Sequence, residues 1–287
     1  MSHPTEKDAF ETWRQLRLTR GESVTAIDLY ELVARSRGIK PEQLSVDERR
    51  ALAVRALKVM DGRFEFTPGS ERPEPEPIEL VPYDAGWALQ FENWKERLAT
   101  ALPAAPRRIE HVGSTSIPGL AAKPIVDIQV SVDDPEDEAK YVPAIESLGV
   151  QLRNRDSEHR FFRPFAGRPR DVHIHVCRAG SEWERRHIVF RDYLRSSAEA
   201  RNTYLQTKEA AAARWGDDRI AYTEAKSGTI LRLTREAELW ALDSGWKLPP
   251  ELGEELPQRR DQEDGDGQQV QVPRIGERGR GDAEPGP

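Results

Sequence analysis

Cysteine is almost absent from the sequence, and its scarcity excludes two kinds of structural feature. Cys177 is the single cysteine among 287 residues, so no disulfide can form within the chain. A structural zinc site built from several cysteines is excluded for the same reason. Long apolar runs are missing as well: no stretch approaches transmembrane length, and the N-terminal MSHPTEKDAF contains no signal-peptide core. We therefore expect a soluble, cytoplasmic protein with no membrane partner.

An excess of basic residues is also lacking. The chain carries 43 Lys and Arg against 50 Asp and Glu, which gives a formal net charge of −7. Proteins dedicated to nucleic acids are usually basic, because they neutralise phosphate groups. A nucleic-acid partner is therefore not expected. The oligomeric state is left open.

The common nucleotide-binding and hydrolase motifs do not occur. The run Gly113-Ser114-Thr115-Ser116 lacks the spacing of a P-loop. Neither a Rossmann glycine fingerprint nor a G-x-S-x-G elbow is present. A serine nucleophile at Ser114 or Ser116 with a histidine base has no support from spacing.

Composition divides the chain into four segments. Capping boxes at Thr25/Asp28 and Ser45/Glu48 precede amphipathic runs and predict short helices near the N-terminus. Clustered Pro and Glu then predict an extended linker, and a region without periodicity near the C-terminus predicts disorder. The predicted segments are a small helical domain at 1–66, a Pro/Glu linker at 67–77, the main domain at 78–245 and a disordered tail at 246–287.

Within the main domain, helical patterns alternate with short apolar runs. Bulky side chains from Trp87 to Leu98 recur at helical spacing and predict an amphipathic helix. An acidic helix is predicted over 134–148 and a continuous helix over about 217–242. The predicted strands are Ile109–Val112, Ile125–Val132, Val150–Arg153, Arg160–Phe165 and Val172–Cys177. This order predicts an α/β (α+β) domain with a mixed sheet and flanking helices.

The stretch HVGSTSIPGLAAKPIVDIQVSV, residues 111–132, combines a Gly-Ser turn with a strand that carries one carboxylate. Because side chains alternate along a strand, Asp127, Gln129 and Ser131 should share one face. A strand carboxylate beside such a turn can hold a metal while the turn's N–H groups contact phosphate. The alternative is a buried strand with one polar residue next to a tight turn.

Histidines and basic residues cluster in the same domain. His173 and His175 are two apart, so they share a strand face, and Asp171 lies on that face if the strand begins early enough. Such a pair is a recurrent metal-ligand arrangement, although two hydrogen-bonded histidines on a half-exposed strand give the same pattern. The cations that could neutralise an anion are Lys123, Arg191, Arg195 and Lys226. Each could equally be a solvated surface charge.

Five motifs follow one another in a recognisable order: HVGSTSIPGLAAKPIVDI, HRFFRPF, DVHIHV, HIVFRDYLR and YTEAKS. Together they resemble the GrpB-like family of the nucleotidyltransferase superfamily, over roughly residues 78–242. The resemblance implies a nucleotidyltransferase-like core on a mixed sheet. The family also occurs fused to dephospho-CoA kinase in some bacteria, but that kinase activity is not implied here because the chain has no P-loop.

In that superfamily a Gly-Ser turn holds a nucleoside triphosphate, and two acidic residues one position apart hold Mg²⁺. The resemblance therefore assigns the turn to Gly113-Ser114 and the first acid to Asp127. Gln129 stands at the position of the second acid, and a neutral amide lowers the affinity for divalent ions. Either one Mg²⁺ or other divalent metal is held by Asp127, His173 and His175, or the site binds a nucleotide or other phosphate without transfer.

Two functions follow from these residues, with a purely structural domain as the third possibility. The first is transfer of a nucleotidyl or related phosphoryl group to an unknown acceptor, with Asp127, Ser114 and His175 as catalytic residues. The second is a binding module that senses a nucleotide or other phosphorylated small molecule through a degenerate metal site. In both, the residues predicted to bind the ligand are Gly113, Ser114, Thr115, Ser116, Lys123, Arg191, Arg195 and Lys226.

Overall fold

The computed structural model describes residues 5–71 and 77–253. Positions 72–76 of the predicted linker and 254–287 of the predicted tail lie outside the described residues. Among those described, no helix is long and apolar enough to cross a membrane. The helices are α1 (Glu6–Arg20), α2 (Ala26–Ser36), α3 (Val46–Met60), α4 (Gly86–Ala101), α5 (Val142–Glu146), α6 (Glu182–Ser196), α7 (Ala198–Trp215), α8 (Arg219–Glu224) and α9 (Ser227–Ser244). The strands are β1 (Glu65–Phe66), β2 (Arg108–Val112), β3 (Val126–Val132), β4 (Val150–Arg155), β5 (His159–Pro164) and β6 (Val172–Arg178).

The six described strands form one mixed sheet, in the order β1-β4-β5-β6-β3-β2. Strands β3 and β6 run parallel, and the other neighbouring pairs are antiparallel. In the β3–β6 register, Asp127 lies opposite His173 and Gln129 opposite His175. Opposed residues point to the same side of a sheet. The predicted mixed sheet is therefore confirmed, and it places the strand acid beside the histidine pair.

The alternation of β3 separates an apolar face from a polar one. Val126, Ile128 and Val130 are fully buried in a core that includes the bulky residues of α4, such as Trp94 and Leu98. The α4 periodicity predicted from the sequence arises from this contact. The opposite face of the sheet carries Asp127 and is packed against α6 and the loop that follows β2.

The N-terminal helices begin at the predicted capping boxes. The side chains of Thr25 and Ser45 each accept a hydrogen bond from a backbone N–H of their own helix, and the carboxylates of Asp28 and Glu48 accept one from the backbone N–H of the cap residue. Helices α1 to α3 bury a core around Trp13, and the same core includes side chains of α7 and α8. Strand β1 leaves this region and pairs with β4 at the edge of the sheet.

Two predicted helices differ from the structure. The segment 134–148 forms a short 3₁₀ turn at Glu138–Lys140 and then only α5. Proline at position 143 has no N–H and belongs in the first turn of a helix, so a continuous helix through it is excluded. The helix predicted over 217–242 is divided into α8 and α9. The run Ser227-Gly228-Thr229, which opens α9, has low helix propensity.

Candidate functional site

A glycine turn brings the backbone after β2 against the acid of β3. Gly113 has φ +68°, a conformation that favours glycine, and it precedes the 3₁₀ turn Ser114–Ser116. A Cβ at this position would lie 2.9 Å from both Cβ and Cγ of Asp127, and closer still to Oδ2. Glycine is therefore required twice, by the backbone conformation and by the close approach of the carboxylate.

The hydroxyl groups of the turn have different roles. The Thr115 hydroxyl donates to the Ile125 carbonyl at 3.1 Å, and the Ser116 hydroxyl donates to the Gly113 carbonyl at 2.6 Å. These two side chains hold the loop in shape. Ser114 instead lines a pocket together with Tyr204 of α7. Of the three predicted hydroxyls, the structure brings Ser114 to the pocket.

The pocket next to the turn has a volume of about 130 Å³. Its ionisable lining residues are Lys123, Asp127, His173, Lys208 and Lys226. Its hydroxyl-bearing lining residues are Ser114, Tyr204 and Tyr222. Three lysines thus face a single carboxylate among the described residues that line this pocket.

Burial is the main cause of the lowered pKa values of the three pocket lysines. It lowers the pKa of Lys208 to about 7 and that of Lys226 to about 8, and it lowers the pKa of Lys123 well below its ordinary value. The charge of Lys226 lowers the pKa of both other lysines further. The ammonium groups of Lys123 and Lys226 lie 4.8 and 4.1 Å from the centre of the Tyr222 ring. An anion that entered the pocket would relieve their mutual repulsion.

Asp127 is the end of a hydrogen-bond chain. Nδ1 of His173 lies 3.0 Å from Asp127 Oδ1, and Arg170 Nε donates to His173 Nε2 at 2.9 Å. Burial alone would raise the pKa of Asp127, but contacts with His173 and His175 lower it well below its ordinary value. Burial lowers the pKa of His173 to about 3, so this ring is neutral. It therefore carries its proton on Nδ1 and donates it to the carboxylate.

This tautomer decides which side chains can hold a metal. Ligand atoms of Asp127, His173 and His175 lie within 4.8 Å of one another. A metal ligand needs a free lone pair. Nδ1 of His173 carries its proton, and Nε2 of the same ring accepts a hydrogen bond from Arg170. Asp127 and Nε2 of His175, which is 3.7 Å from Asp127 Oδ1, remain as donors that fit a divalent ion. His173 orients the carboxylate, as outer partners of metal ligands do.

Gln129, which stands at the position of the second acid, directs its side chain toward α6. Gln129 is fully buried, and its amide nitrogen lies 3.4 Å from the Glu184 carbonyl of α6. Its neighbour on β2, Glu110, forms an ion pair with Arg191 at 2.5 Å. Neither group extends the metal-ligand set around Asp127.

The two arginines predicted to bind phosphate contact the backbone on either side of the Gly113 turn instead. Arg191 donates to Glu110 and to the His111 carbonyl, and Arg195 donates to the Ser116 carbonyl at 3.0 Å. Neither lines the pocket as described. Their guanidinium groups fix the backbone that carries the turn, while Lys123 and Lys226 line the pocket itself.

Sequence reasoning missed Lys208, Tyr204 and Tyr222. Lys208 is 1% exposed and donates to the Ala121 carbonyl. It lies in the buried stripe of α7, which consists of Ala200, Tyr204, Lys208, Ala211 and Trp215. A lysine in an apolar stripe is rarely buried without a partner. That spacing was the available signal.

We expect NMR to find His173 neutral, with its proton on Nδ1. Long-range ¹H–¹⁵N correlation spectra of ¹⁵N-labelled protein distinguish the two tautomers. His111 is an internal contrast: because the Thr115 hydroxyl already donates to a carbonyl, it must accept from His111 Nε2, so His111 should carry its proton there. A His173 ring with its proton on Nε2, or one protonated at pH 6, would contradict the chain Arg170–His173–Asp127.

The fold and the pocket together define a mixed α/β protein with a lysine-lined cleft at a Gly-Ser turn. The chain belongs to the GrpB family, because residues 77–236 match the family described as "GrpB protein". A UPF0157 protein of Streptomyces coelicolor is 41% identical over 165 residues, which cover 58% of this chain and 87% of that protein. A UPF0157 protein of Halalkalibacterium halodurans is 36% identical over 60% of this chain and 89% of its own.

Structural similarity supports the same assignment. The crystal structure of the conserved protein GrpB from Enterococcus faecalis aligns with a TM-score of 0.51 at 30% identity, over 59% of this chain and all of that one. A dephospho-CoA kinase of Mycolicibacterium paratuberculosis is 32% identical over 200 residues, but the match spans only 48% of its length. The predicted family is thus confirmed, and these matches describe the main domain.

Proposed function

We propose that the protein binds a nucleotide or another phosphorylated small molecule in the lysine-lined pocket, together with one divalent ion. The observation that carries the proposal is the convergence of Lys123, Lys208 and Lys226 on a pocket that holds one carboxylate. Buried ammonium groups are unfavourable unless an anion offsets their charge. A phosphate group supplies several negatively charged oxygens in a small volume and fits that requirement.

In this function the pocket residues form two groups, one that contacts the phosphate and one that holds the metal ion. The lysines would contact the phosphate oxygens, and the Ser114 hydroxyl would donate a further hydrogen bond. On the other side, Asp127 and His175 would hold the divalent ion, with His173 orienting the carboxylate. A divalent ion held there would supply positive charge that offsets part of the phosphate charge.

Nucleotidyl transfer is the second candidate, favoured by the contact between the Gly113 turn and the Asp127 carboxylate. Transfer through two metals needs a second acid near the first. Here Gln129 is turned toward α6, and Glu110 is held by Arg191. Binding without transfer is therefore the function that we favour. Metal-dependent release of pyrophosphate from a nucleoside triphosphate would instead support transfer.

Replacing Lys226 by Met should weaken phosphate binding strongly. Charge-assisted hydrogen bonds contribute about 1.5–3 kcal/mol, so the dissociation constant of pyrophosphate should rise about 10- to 100-fold. Calorimetry with pyrophosphate, ATP and GTP, each with and without Mn²⁺, measures this change. The matched control is Lys247→Met, because Lys247 is exposed and does not line the pocket.

The same titrations distinguish three cases: binding without transfer, nucleotidyl transfer, and the absence of both functions. Binding that weakens in Lys226→Met but not in Lys247→Met, without pyrophosphate release, supports the binding function. If the wild-type protein bound neither pyrophosphate nor any nucleoside triphosphate at millimolar concentrations, the proposed function would be wrong. Equal losses in both lysine variants would show that the effect is one of overall charge.

A further inference from the structure

The short helix α8 forms one wall of the lysine-lined pocket. Tyr222 of α8 lines the pocket, and Lys226 follows the helix by two residues and lines it as well. The ring of Tyr222 lies under the ammonium groups of Lys123 and Lys226. Any shift of α8 therefore moves the aromatic ring and one of the three pocket lysines together.

The start of α8 is fixed by an arginine of α3. Asp218 caps the helix: its Oδ1 accepts from the backbone N–H groups of Ile220 and Ala221, each at 3.0 Å. Its Oδ2 accepts from Arg49 Nε at 2.8 Å. The side chains of Arg49 and Asp218 are 3% and 4% exposed. The ion pair is buried, so removing one partner leaves an uncompensated charge.

Arg49 also ties α8 to the rest of the N-terminal helices. Its other nitrogens donate to the Leu44 carbonyl at 2.7 Å and to Asp217 at 3.1 Å. At the far end of α8, the Glu224 carboxylate accepts from the Ala26 backbone N–H at 3.1 Å. Both ends of α8 are thus attached to the N-terminal helical region.

We propose that Arg49 is a positioning residue for the lysine-lined pocket, and that the N-terminal helices thereby set its affinity for phosphorylated ligands. Arg49 lies outside residues 77–236, the part that matches the family. The inference rests on the proposed function, since it concerns affinity at the same pocket. The structural step, in which Arg49 holds α8 in place, can be tested separately from binding.

Arg49→Met should loosen α8 and weaken binding. We expect amide hydrogen exchange over residues 219–226 to accelerate at least about 10-fold, because the cap residue loses its buried partner. We expect the dissociation constant of pyrophosphate to rise about 10-fold, the usual scale for a residue that acts through another element. Arg49→Lys keeps a cation beside Asp218 and should restore most of the affinity.

Arg55→Met is the matched control. Arg55 lies on the same helix, is 46% exposed and pairs with Glu6, so its loss should leave both α8 exchange and pyrophosphate affinity unchanged. If Arg49→Met unfolds the N-terminal helices, Asp218→Asn decides instead. Asparagine can still cap α8 but loses the ion pair, so we expect a folded protein with faster exchange over residues 219–226 and weaker pyrophosphate binding.

The outcomes separate the two proposals. Faster exchange and weaker binding in Arg49→Met, with recovery in Arg49→Lys, support the inference. Unchanged binding in a folded Arg49→Met protein would overturn it and leave the proposed function intact. If the wild-type protein binds no pyrophosphate, the proposed function fails; unchanged α8 exchange in Arg49→Met would then refute the positioning role too, and faster exchange would support it.

Discussion

Gly113→Ala should abolish phosphate binding and destabilise the fold. The new methyl group would enter the space of the Asp127 carboxylate, and alanine at φ +68° is itself strained. Strain of this kind costs about 1–3 kcal/mol, and the steric overlap with β3 adds to it. We expect the free energy of unfolding to fall by at least about 3 kcal/mol. Chemical denaturation and pyrophosphate calorimetry measure the two effects.

Gly119→Ala provides a control from the same loop. Gly119 has φ +80°, but a Cβ there would meet nothing within 4 Å. This variant therefore reports the cost of the backbone conformation alone, about 1–2 kcal/mol. The difference between the two variants measures the contact with Asp127. Equal losses of stability would show that the close approach of turn and carboxylate has no energetic consequence.

Asp127→Asn should have opposite effects on metal-dependent and metal-free binding. Asparagine cannot supply the negative charge that a divalent ion needs, so affinity for Mn²⁺ should fall at least about 100-fold, since even outer partners of ligands contribute 10- to 100-fold. Without metal, pyrophosphate should bind more tightly, because Asp127, the only carboxylate among the described residues that line the pocket, has been neutralised. Calorimetry with Mn²⁺, with pyrophosphate and with both distinguishes the two effects.

Asp171→Asn is the control for this change. The sequence placed Asp171 on the face of His173 and His175 if the strand began early enough, but β6 begins at Val172. Asp171 does not line the pocket, and its backbone carbonyl accepts from the Val126 N–H at the start of β3. We expect its substitution to leave metal and pyrophosphate affinities unaltered. Asp127→Asn could instead weaken pyrophosphate binding in the absence of metal. The carboxylate would then act on the ligand directly, and the proposed metal site at Asp127 would be wrong.

Structural features that depend on residues within a single helix or strand were predictable from the sequence. The alternation in β3 identified its two faces, because side chains point to opposite sides at every second residue. The capping boxes at Thr25 and Ser45 located two helix starts, since those hydrogen bonds join residues three apart. The five ordered motifs identified the GrpB family. The prediction of a continuous helix from 217 to 242 was wrong because it did not weigh the weak helix formers after Lys226.

The environment of the site depended on contacts between distant segments. Lys208 and Tyr222 reach the pocket from more than 80 residues beyond Asp127, and no local pattern shows that they converge. Arg191 and Arg195 had the right charge for phosphate, yet their geometry directs them to backbone carbonyls of the turn. The charge of a side chain follows from the residue's identity, but the orientation of that side chain does not.

By itself the sequence determined the family, the mixed sheet, and the turn and strand acid at its centre, because these follow from short-range spacing and motif order. Only the tertiary structure decided which groups share the pocket. The packing of α7 and α8 brings Lys208 and Lys226 to Asp127, Arg170 fixes the proton of His173, and Arg49 holds α8. Apart from the contact between Arg170 and His173, which are three residues apart, these contacts join elements far apart in the chain, where spacing along the sequence no longer determines distance in space.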